Sequence, residues 1–460
     1  MEKKIISRYS YFFKTSKSVY LAYSSKTNCF MELSKQLFET LIQKIKDQSY
    51  EIPHGIPKNT LDILEHEGII CGCNDDDDYV IKSQFITQSV QHDTSKLNLV
   101  LVPTLNCNFN CPYCFENGKR AKIMSDDTIN HLINFIKELG GTKELTITWY
   151  GGEPLLAFPV IKKILNRISQ ESSIKIVKHS MITNGYLIND KVIKLFQEYP
   201  LDSIQITLDG TKERHNKLRA LKANNAPTYN RIIENIGLVA NNLTNTELHV
   251  RVNIDKNNAN DFFQIYDEFK TKFNNNSNII VYPGIIRLEN EEKTNVIEPA
   301  FGRWDTAYLL YELYSKGILK GDVYPSHRVA KTCCAMCVNS YIIGPMGEIY
   351  KCWNDVSDES KVIGHIDQHE IENKTLYYRY HEGCAWYNDP VCKSCFFLPI
   401  CNGKCAWYNE RNIYHGANFN LCQCLQKAPG LLDKCLEYYY ESQSSLLNNQ
   451  KLSHAKMGKR

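Results

Sequence analysis

Long hydrophobic runs are missing from the sequence. No stretch reaches the about 20 consecutive apolar residues that a membrane-spanning helix needs. Residues 1–13 also lack the apolar run and small-residue cleavage site of a secretory signal peptide. These absences predict a cytoplasmic protein with no membrane partner.

An excess of charge of one sign is also missing. The 54 Lys and Arg residues nearly balance the 51 Asp and Glu residues, which gives a formal net charge of +3. Because there is no basic stripe, we expect no nucleic-acid partner. The hydrophobic fraction of 43% is typical of a globular protein, and 460 residues are enough for about two to four domains.

Cysteine is missing from the middle of the chain, between Cys114 and Cys333, but it is abundant elsewhere. Of the 18 cysteines, three lie between positions 107 and 114, four between 333 and 352, and eight between 384 and 435. A packing role would scatter cysteines, whereas metal ligation requires short spacings. In a reducing compartment, metal binding or catalysis explains such clusters better than disulfides do.

Residues 1–90 are predicted to form a small winged-helix-like module. The pattern favours two strands and then two helices, at 18–23, 28–33, 34–47 and 60–68. The acidic run at 75–78 is interpreted as a solvated turn.

Residues 95–285 are predicted to have an α/β fold. Six apolar, β-branched segments alternate with helical patterns, and they predict strands at 97–104, 144–150, 174–183, 203–208, 248–254 and 278–285. This alternation favours a parallel sheet, and six units favour an open, partial (β/α)6 barrel over the complete eightfold one. In such folds the chemistry gathers at the carboxyl ends of the strands.

The remaining segments differ in composition. Residues 286–325 are predicted to be a helical connector, and residues 326–440 a cysteine-rich domain with short strands. Residues 441–460 are predicted to be a polar tail with a basic end.

The first cysteine cluster follows the first strand of the predicted barrel. It has the spacing Cys107-x3-Cys111-x2-Cys114. Three thiolates on one tight loop can hold a [4Fe–4S] cluster and leave its fourth iron open for a ligand, much as a catalytic zinc keeps an open position. The alternative is a zinc knuckle, but zinc sites prefer four ligands, and no fourth cysteine is nearby.

With three further motifs, the segment 95–285 resembles the radical SAM superfamily. The motifs follow successive predicted strands and read Gly151-Gly152-Glu153-Pro154, Thr183-Asn184-Gly185 and Thr207-Leu208-Asp209-Gly210. The third departs from the family pattern by Thr in place of Ser. The resemblance implies an enzyme that binds S-adenosylmethionine (SAM) at the cluster and cleaves it reductively to a 5′-deoxyadenosyl radical.

The resemblance also assigns roles to individual residues. Glu153 is expected to pair with the SAM ammonium, and Arg219, in an H-x3-R motif with His215, with its carboxylate. The cofactor-binding residues it implies are Tyr113, Gly151, Gly152, Glu153, Pro154, Asn184, Thr207, Asp209, Arg219, Arg251 and Asn253.

The later cysteines resemble the SPASM extension of radical SAM enzymes. They read Cys334-x12-Gly347-x4-Cys352, and then Cys392-x2-Cys395-x5-Cys401-x3-Cys405 with further cysteines at 422 and 424. The resemblance implies two auxiliary [4Fe–4S] clusters, one held by Cys334, Cys337, Cys352 and Cys405, the other by Cys392, Cys395, Cys401 and Cys424. Cys333 in place of Cys334, Cys422 in place of Cys424, and a zinc ribbon remain alternatives.

The order of elements in residues 1–90 resembles the module that binds leader peptides in maturases of ribosomally made peptides (RiPPs). The resemblance implies a precursor-peptide partner that adds to a strand edge, and a low-potential electron donor such as flavodoxin or ferredoxin. We expect a peptide cross-link, with a thioether as the first expectation and a carbon–carbon bond as the second, and Asp355 as a catalytic base.

Three alternatives remain open. Residues 1–90 could be a structural cap on the barrel. The chain could instead resemble an anaerobic sulfatase maturase, although that family tends to have Asp after the cysteine equivalent to Cys352, where this sequence has Trp353. From another class, it could be a non-catalytic iron–sulfur partner that binds peptides, but the intact SAM motifs argue against this.

Overall fold

The structure, a computed structural model of the chain, describes residues 3–114, 122–139, 144–171, 174–286, 300–318, 330–368, 370–422, 424–428 and 430–443. Within these ranges, no helix combines the length and the apolar character needed to cross a bilayer.

Fourteen strands are present in the described part of the chain. In chain order they are β1 (Lys4–Ile6), β2 (Ser10–Lys14), β3 (Tyr20–Ser24), β4 (Cys29–Leu33), β5 (Ile70–Gly72), β6 (Lys96–Leu101), β7 (Glu144–Trp149), β8 (Lys175–Thr183), β9 (Ser203–Leu208), β10 (Glu247–Ile254), β11 (Ile279–Ile285), β12 (Ser340–Ile343), β13 (Glu348–Tyr350) and β14 (Gly364–His365).

The α-helices alternate with the central strands. They are α1 (Lys35–Lys46), α2 (Lys58–His66), α3 (Asp75–Gln91), α4 (Asp126–Glu138), α5 (Phe158–Ser169), α6 (Asp190–Glu198), α7 (Lys212–Leu218), α8 (Tyr229–Asn242), α9 (Ala259–Lys272), α10 (Arg303–Ser315), α11 (Lys374–Tyr378), α12 (Pro390–Lys393) and α13 (Ala406–Tyr414). A π-helical turn follows α11 at Arg379–Gly383, and residues 430–443 are largely helical.

The predicted partial barrel is confirmed. The six strands β6 to β11 pair in parallel and in sequence order, and the helices between them cross over the sheet. Three further strands extend this sheet beyond β6 to nine strands, because β12 pairs in parallel with β6, and β13 and β14 follow in antiparallel pairing.

Alternation along the strands explains how the barrel positions a site. Ile204, Ile206 and Leu208 of β9 are fully buried, whereas Gln205 and Thr207 between them are partly accessible. Successive side chains of a strand point to opposite faces, so the apolar set packs under the helices and the polar set faces the barrel interior. β10 shows the same alternation, which places Arg251 and Asn253 on the interior face.

The N-terminal segment contains both predicted strands and both predicted helices, but it also contains elements that the sequence analysis missed. β2, β3 and β4 form a three-stranded antiparallel sheet, and β1 pairs with β5. The interpretation of residues 75–78 as a solvated turn is wrong, because these residues form the first turn of α3. Asp76 is buried there and accepts hydrogen bonds from the Ser7 hydroxyl and the Arg8 amide.

The N-terminal segment packs against the cysteine-rich segment. Phe13, Leu21 and Tyr23 share a hydrophobic core with residues 431–439. The Tyr11 hydroxyl donates to Asp433 at 2.7 Å. These contacts bury apolar area from both ends of the chain together.

Candidate active site

One cavity of about 1090 Å³ lies at the carboxyl ends of the barrel strands. Its walls bring together the first cysteine cluster, the ends of β7 to β10, and a wall from the cysteine-rich segment made of Cys352, Trp353 and Asn354. The volume slightly exceeds the range of about 300–1,000 Å³ that is typical of small-molecule sites. It therefore offers room for a small molecule and part of a second one.

The cysteine loop forms one side of this cavity. Cys107, Cys111 and Cys114 all line it, and the Cys114 amide donates to the Cys111 carbonyl oxygen at 3.2 Å, which makes the loop tight. The Lys222 amide donates to the Asn108 carbonyl oxygen at 2.8 Å and fixes the loop to the segment after α7. Burial raises the pKa of the Cys107 thiol to about 11, so its thiolate form requires a nearby cation such as a metal.

Glycine is needed at positions 151 and 152 because the backbone that leads to the cysteine loop passes close to both residues. A Cβ atom on Gly151, which has φ of +131°, would lie 2.4 Å from the Thr104 carbonyl oxygen, and one on Gly152 would lie 2.4 Å from the Asn106 carbonyl oxygen. The Glu153 amide donates to the same Asn106 oxygen at 2.8 Å. The close approach seen in the structure is therefore to the chain just before Cys107.

The Glu153 carboxylate joins the ends of two strands. It is fully buried, and it accepts hydrogen bonds from the Leu155 amide at 3.0 Å, the Thr183 hydroxyl at 2.7 Å and the Asn184 amide at 2.7 Å. Pro154 follows it as the first residue of a short 3₁₀ helix, Pro154–Ala157. Glu153 is not among the residues that line the cavity, so its pairing with the SAM ammonium stays a prediction.

Asn184 links the strand end to the cysteine loop. Its side-chain amide nitrogen donates to Asn108 Oδ1 at 2.8 Å and lies 4.0 Å from Cys107 Sγ. Its side-chain oxygen accepts from the Tyr186 amide at 3.0 Å. The TNG motif thus supports the loop that carries the cysteines.

Asp209, Arg219 and Tyr113 form a buried polar network beside the cysteines. The Tyr113 hydroxyl donates to Asp209 Oδ2 and accepts from Arg219 Nη1 at 3.0 Å. Arg219 Nη1 also lies 3.6 Å from Asp209 Oδ1, and Asn253 Nδ2 donates to that oxygen at 2.9 Å. Four of the predicted cofactor-binding residues are therefore brought together.

His215 supports this network from behind. Its Nδ1 accepts from the Asp209 amide at 3.3 Å, and its Nε2 lies 3.0 Å from the Thr228 hydroxyl, which itself donates to the Arg219 carbonyl oxygen at 2.7 Å. Because the Thr228 proton is used on that carbonyl, His215 must be the donor from Nε2. Burial and the positive charge of Arg219 lower the pKa of His215 to about 3, so the ring is neutral.

The interior face of the sheet completes the cavity. Thr207 and Arg251 line it, and Arg251 Nε donates to Asn253 Oδ1 at 3.1 Å. The sequence analysis missed Gln205, which lines the cavity and accepts from the Tyr282 hydroxyl at 2.5 Å, and Arg214, which pairs with Asp255. The period-two pattern of β9 that identifies Thr207 as interior could have identified Gln205 as well.

The cysteines predicted for the first auxiliary cluster lie close together. Burial, the Asp355 charge, and then the neighbouring Cys334 and Cys405 thiols raise the pKa of Cys352 strongly. The Trp353 indole donates to Cys334 Sγ at 3.3 Å. Cys333 also interacts electrostatically with Cys334 and Cys405, so both choices of ligand remain open.

Three of the four cysteines predicted for the second auxiliary cluster lie near Cys422, the alternative fourth ligand. Burial raises the pKa of Cys392 to about 12, and the charge of Cys422 contributes to raising the pKa of Cys392, Cys395 and Cys401 alike. The side chain of Cys424 lies outside the described residues. The structure therefore places Cys422, the alternative, beside the other three cysteines.

Asp355 does not line the cavity, although Asn354 does. Its carboxylate is buried and accepts from the Tyr380 hydroxyl at 2.6 Å and the Trp407 indole at 2.9 Å. Burial raises its pKa above the usual range. These contacts hold the cysteine-rich segment together, and the role of Asp355 as a catalytic base stays a prediction.

Comparison with known proteins supports this geometry. Residues 101–269 match the model of the radical SAM superfamily. The chain is 28% identical to the cysteine-type anaerobic sulfatase-maturating enzyme of Clostridium novyi over an alignment of 352 residues. This alignment covers 71% of this chain and 92% of that enzyme. It is 24% identical to the radical SAM cyclopropyl synthase TigE of Paramaledivibacter caminithermalis, over 68% of each chain.

A solved structure shares the fold. The chain matches anSMEcpe with bound AdoMet and a peptide at a TM-score of 0.59 and 20% identity, over 77% of this chain and 99% of that one. The chain therefore contains a radical SAM domain at residues 101–269, and this superfamily uses SAM and a [4Fe–4S] cluster.

The residues present fit both groups. Three thiols on one tight loop line the same cavity as the Arg219–Asp209 pair. The Nε atom of Arg219 and the Nδ2 atom of Asn108 are buried without a hydrogen-bond partner in the described part of the chain. Since buried donors are seldom left unpaired, these atoms are suited to polar groups of a ligand.

Proposed function

We propose that this radical SAM enzyme modifies a ribosomally made peptide by installing a cross-link, with a thioether as the first choice and a carbon–carbon bond as the second. The observation that carries the proposal is the composite cavity. Its floor is the cysteine loop and its side is formed by residues 352–354 of the cysteine-rich segment. A peptide side chain that enters this cavity would lie between the SAM site and the cysteines proposed for an auxiliary cluster.

The cofactors would supply the radical chemistry, and the residues of the chain would bind and orient them. When bound, SAM at the cluster supplies a carbon radical that can remove a hydrogen atom from the substrate. Cys107, Cys111 and Cys114 would hold the cluster. Arg219 and Asp209 would bind the charged methionine end of SAM, and Tyr113 would keep both side chains in place. The C-terminal cysteines would hold two auxiliary clusters that take up the electron left when the new bond forms.

The N-terminal segment is suited to binding the peptide. Within the described residues, β4 has a neighbouring strand on one side only, and α1 follows it directly. An extended leader that adds to this edge gains main-chain hydrogen bonds, and α1 provides a wall for its side chains. We propose residues 1–90 as the leader-binding module and a flavodoxin or ferredoxin as the electron donor.

A second function is favoured by one observation. The Clostridium novyi sulfatase-maturating enzyme aligns over 92% of its length. Activation of a sulfatase would therefore be the next proposal. Against it, the residue after Cys352 is Trp353, which lies in the cavity wall and packs on Tyr150 at 5.0 Å between ring centroids.

Co-expression tests the proposal directly. The enzyme is produced with each short open reading frame encoded beside its gene, and the peptides are analysed by mass spectrometry. A loss of two hydrogen atoms per bond, dependent on Cys107, supports the cross-link. Modification of a sulfatase-derived peptide alone would favour the second function, and a chain that forms no 5′-deoxyadenosine with any peptide would be the non-catalytic partner.

Leader binding is tested separately with a photoreactive amino acid placed along the leader. Cross-links to residues 29–46 support the proposed edge. Cross-links confined to other parts of the chain would show that residues 1–90 are a structural cap.

A further inference from the structure

Two histidines and one glutamate converge outside the predicted iron–sulfur cysteine groups. His92 ends α3, while His381 and Glu382 lie on the π-helical turn that follows α11. One side-chain ligand atom from each residue lies within 4.8 Å of the others. Among the described residues, this is the one group of three or more metal-ligating side chains with such spacing.

The carboxylate of Glu382 contacts both imidazoles. Glu382 Oε1 lies 3.2 Å from His92 Nε2 and 3.4 Å from His381 Nδ1, so two imidazoles share one carboxylate oxygen. The His381 side chain is only 4% exposed, and its Nε2 atom is buried with no hydrogen-bond partner in the described part of the chain.

Neighbouring residues hold these side chains in position. The Tyr387 hydroxyl donates to Glu382 Oε2 at 2.8 Å and fixes the carboxylate, as outer-shell hydrogen bonds do for metal ligands. His381 stacks on Tyr377 with 5.8 Å between ring centroids. Burial lowers the pKa of His381, which keeps the ring in the neutral form that binds metals. π-Helical turns are rare and occur often at functional sites.

We propose that His92, His381 and Glu382 bind a divalent transition-metal ion, with Zn²⁺ as the expected occupant. Two imidazoles and one carboxylate are a ligand set that zinc accepts, with a fourth position left for water. The His92 side chain is 52% exposed, so the ion has access from solvent. The ion would tie the end of α3 to the cysteine-rich segment and so fix the N-terminal segment against the rest of the chain.

The cluster-loaded enzyme, prepared anaerobically and freed of loosely bound metal, is titrated with Zn²⁺ against a chromophoric chelator. The wild type should retain one zinc more per chain than His92→Ala, and Glu382→Gln should weaken zinc binding at least tenfold. His365→Ala is the matched control, because His365 pairs with Glu372 at 3.0 Å without belonging to such a group. It should bind zinc as the wild type does.

X-ray absorption at the zinc edge separates this site from adventitious binding by free cysteines. Nitrogen and oxygen neighbours without sulfur are expected, and zinc should raise the melting temperature of the wild type but not of His92→Ala. Equal zinc content in the wild type and His92→Ala, or sulfur in the zinc coordination shell, would overturn the proposal.

Discussion

Arg219 donates to the hydroxyl oxygen of Tyr113 at 3.0 Å, and this bond joins the segment after α7 to the loop that carries the three cysteines. The same hydroxyl donates to Asp209. One phenol thus bridges a buried cation and a buried anion within the cavity wall, and it does so between two of the proposed cluster ligands.

Tyr113→Phe should weaken SAM binding roughly tenfold, because both charged groups lose a hydrogen-bond partner where water cannot easily replace it. Equilibrium binding of SAM to the cluster-loaded enzyme measures this. Tyr229→Phe is the control, since within the described residues its ring packs on His215 and its hydroxyl makes no hydrogen bond. Equal losses in both variants would argue against a specific role for Tyr113.

Replacing Cys107, Cys111 and Cys114 together by Ala should abolish formation of 5′-deoxyadenosine and remove about four of the roughly twelve irons expected for three clusters. Cys73→Ala, at an exposed position of the N-terminal segment, should change neither value. Undiminished SAM cleavage by the triple variant would refute the assignment.

Glu153→Gln should lower the stability of the enzyme by about 1.5–3 kcal/mol, since the new amide nitrogen cannot accept from the donors that now surround the carboxylate. Thermal unfolding and SAM binding are measured together. If Glu153 also pairs with the SAM ammonium, the dissociation constant rises in enzyme that keeps its iron; an unchanged constant would remove that role.

Cys422→Ala should lose about four irons, because Cys422 interacts with the three other cysteines of the second group. Cys424→Ala serves as the comparison and should keep its iron. Loss of iron from Cys424→Ala but not from Cys422→Ala would support Cys424, the ligand that the family spacing implies. Iron analysis and electron paramagnetic resonance of the reduced enzyme distinguish the two outcomes.

His215 should make the barrel less stable in mild acid. Its folded pKa of about 3 lies below the unfolded value of about 6.5, so only the unfolded chain takes up a proton as the pH falls between them. Stability should therefore fall by about 1 kcal/mol between pH 7 and pH 5.5. His215→Gln should reduce this dependence in urea unfolding. An unchanged slope in His215→Gln would show that other groups cause it.

The barrel could be predicted from the sequence because its strands repeat a local pattern. Each apolar, β-branched run in 97–285 is followed by a segment with helical periodicity. This alternation of strands and helices predicts the parallel order of the strands. The cysteine spacings likewise located the side chains that meet in the cavity and in the C-terminal groups. Gly151 and Gly152 line the cavity, and their closest contact is with the backbone before Cys107.

What could not be predicted depends on contacts between distant segments. The run at 75–78 has the composition of a solvated turn, but Ser7 and Arg8 bury Asp76 at the start of a helix. Asp355 lies three residues after Cys352, a proposed cluster ligand, yet its carboxylate binds Tyr380 and Trp407 and does not line the cavity. In both cases the contacting residues are too far away in sequence to be part of a local sequence pattern.

The pairing of β12 with β6 has a consequence for how the chain folds during synthesis. Ser340–Ile343 align with Asn98–Leu101, so the first barrel strand has no neighbour on that side until the ribosome has made the cysteine-rich segment. An unpaired edge invites association with other chains, and contacts between distant segments form slowly. A chain cut at the boundary that cysteine content suggests, near residue 326, would keep that edge open. The nascent barrel therefore cannot complete this edge of its sheet until the later segment has been synthesised. Any transfer of the barrel into another protein has to include β12.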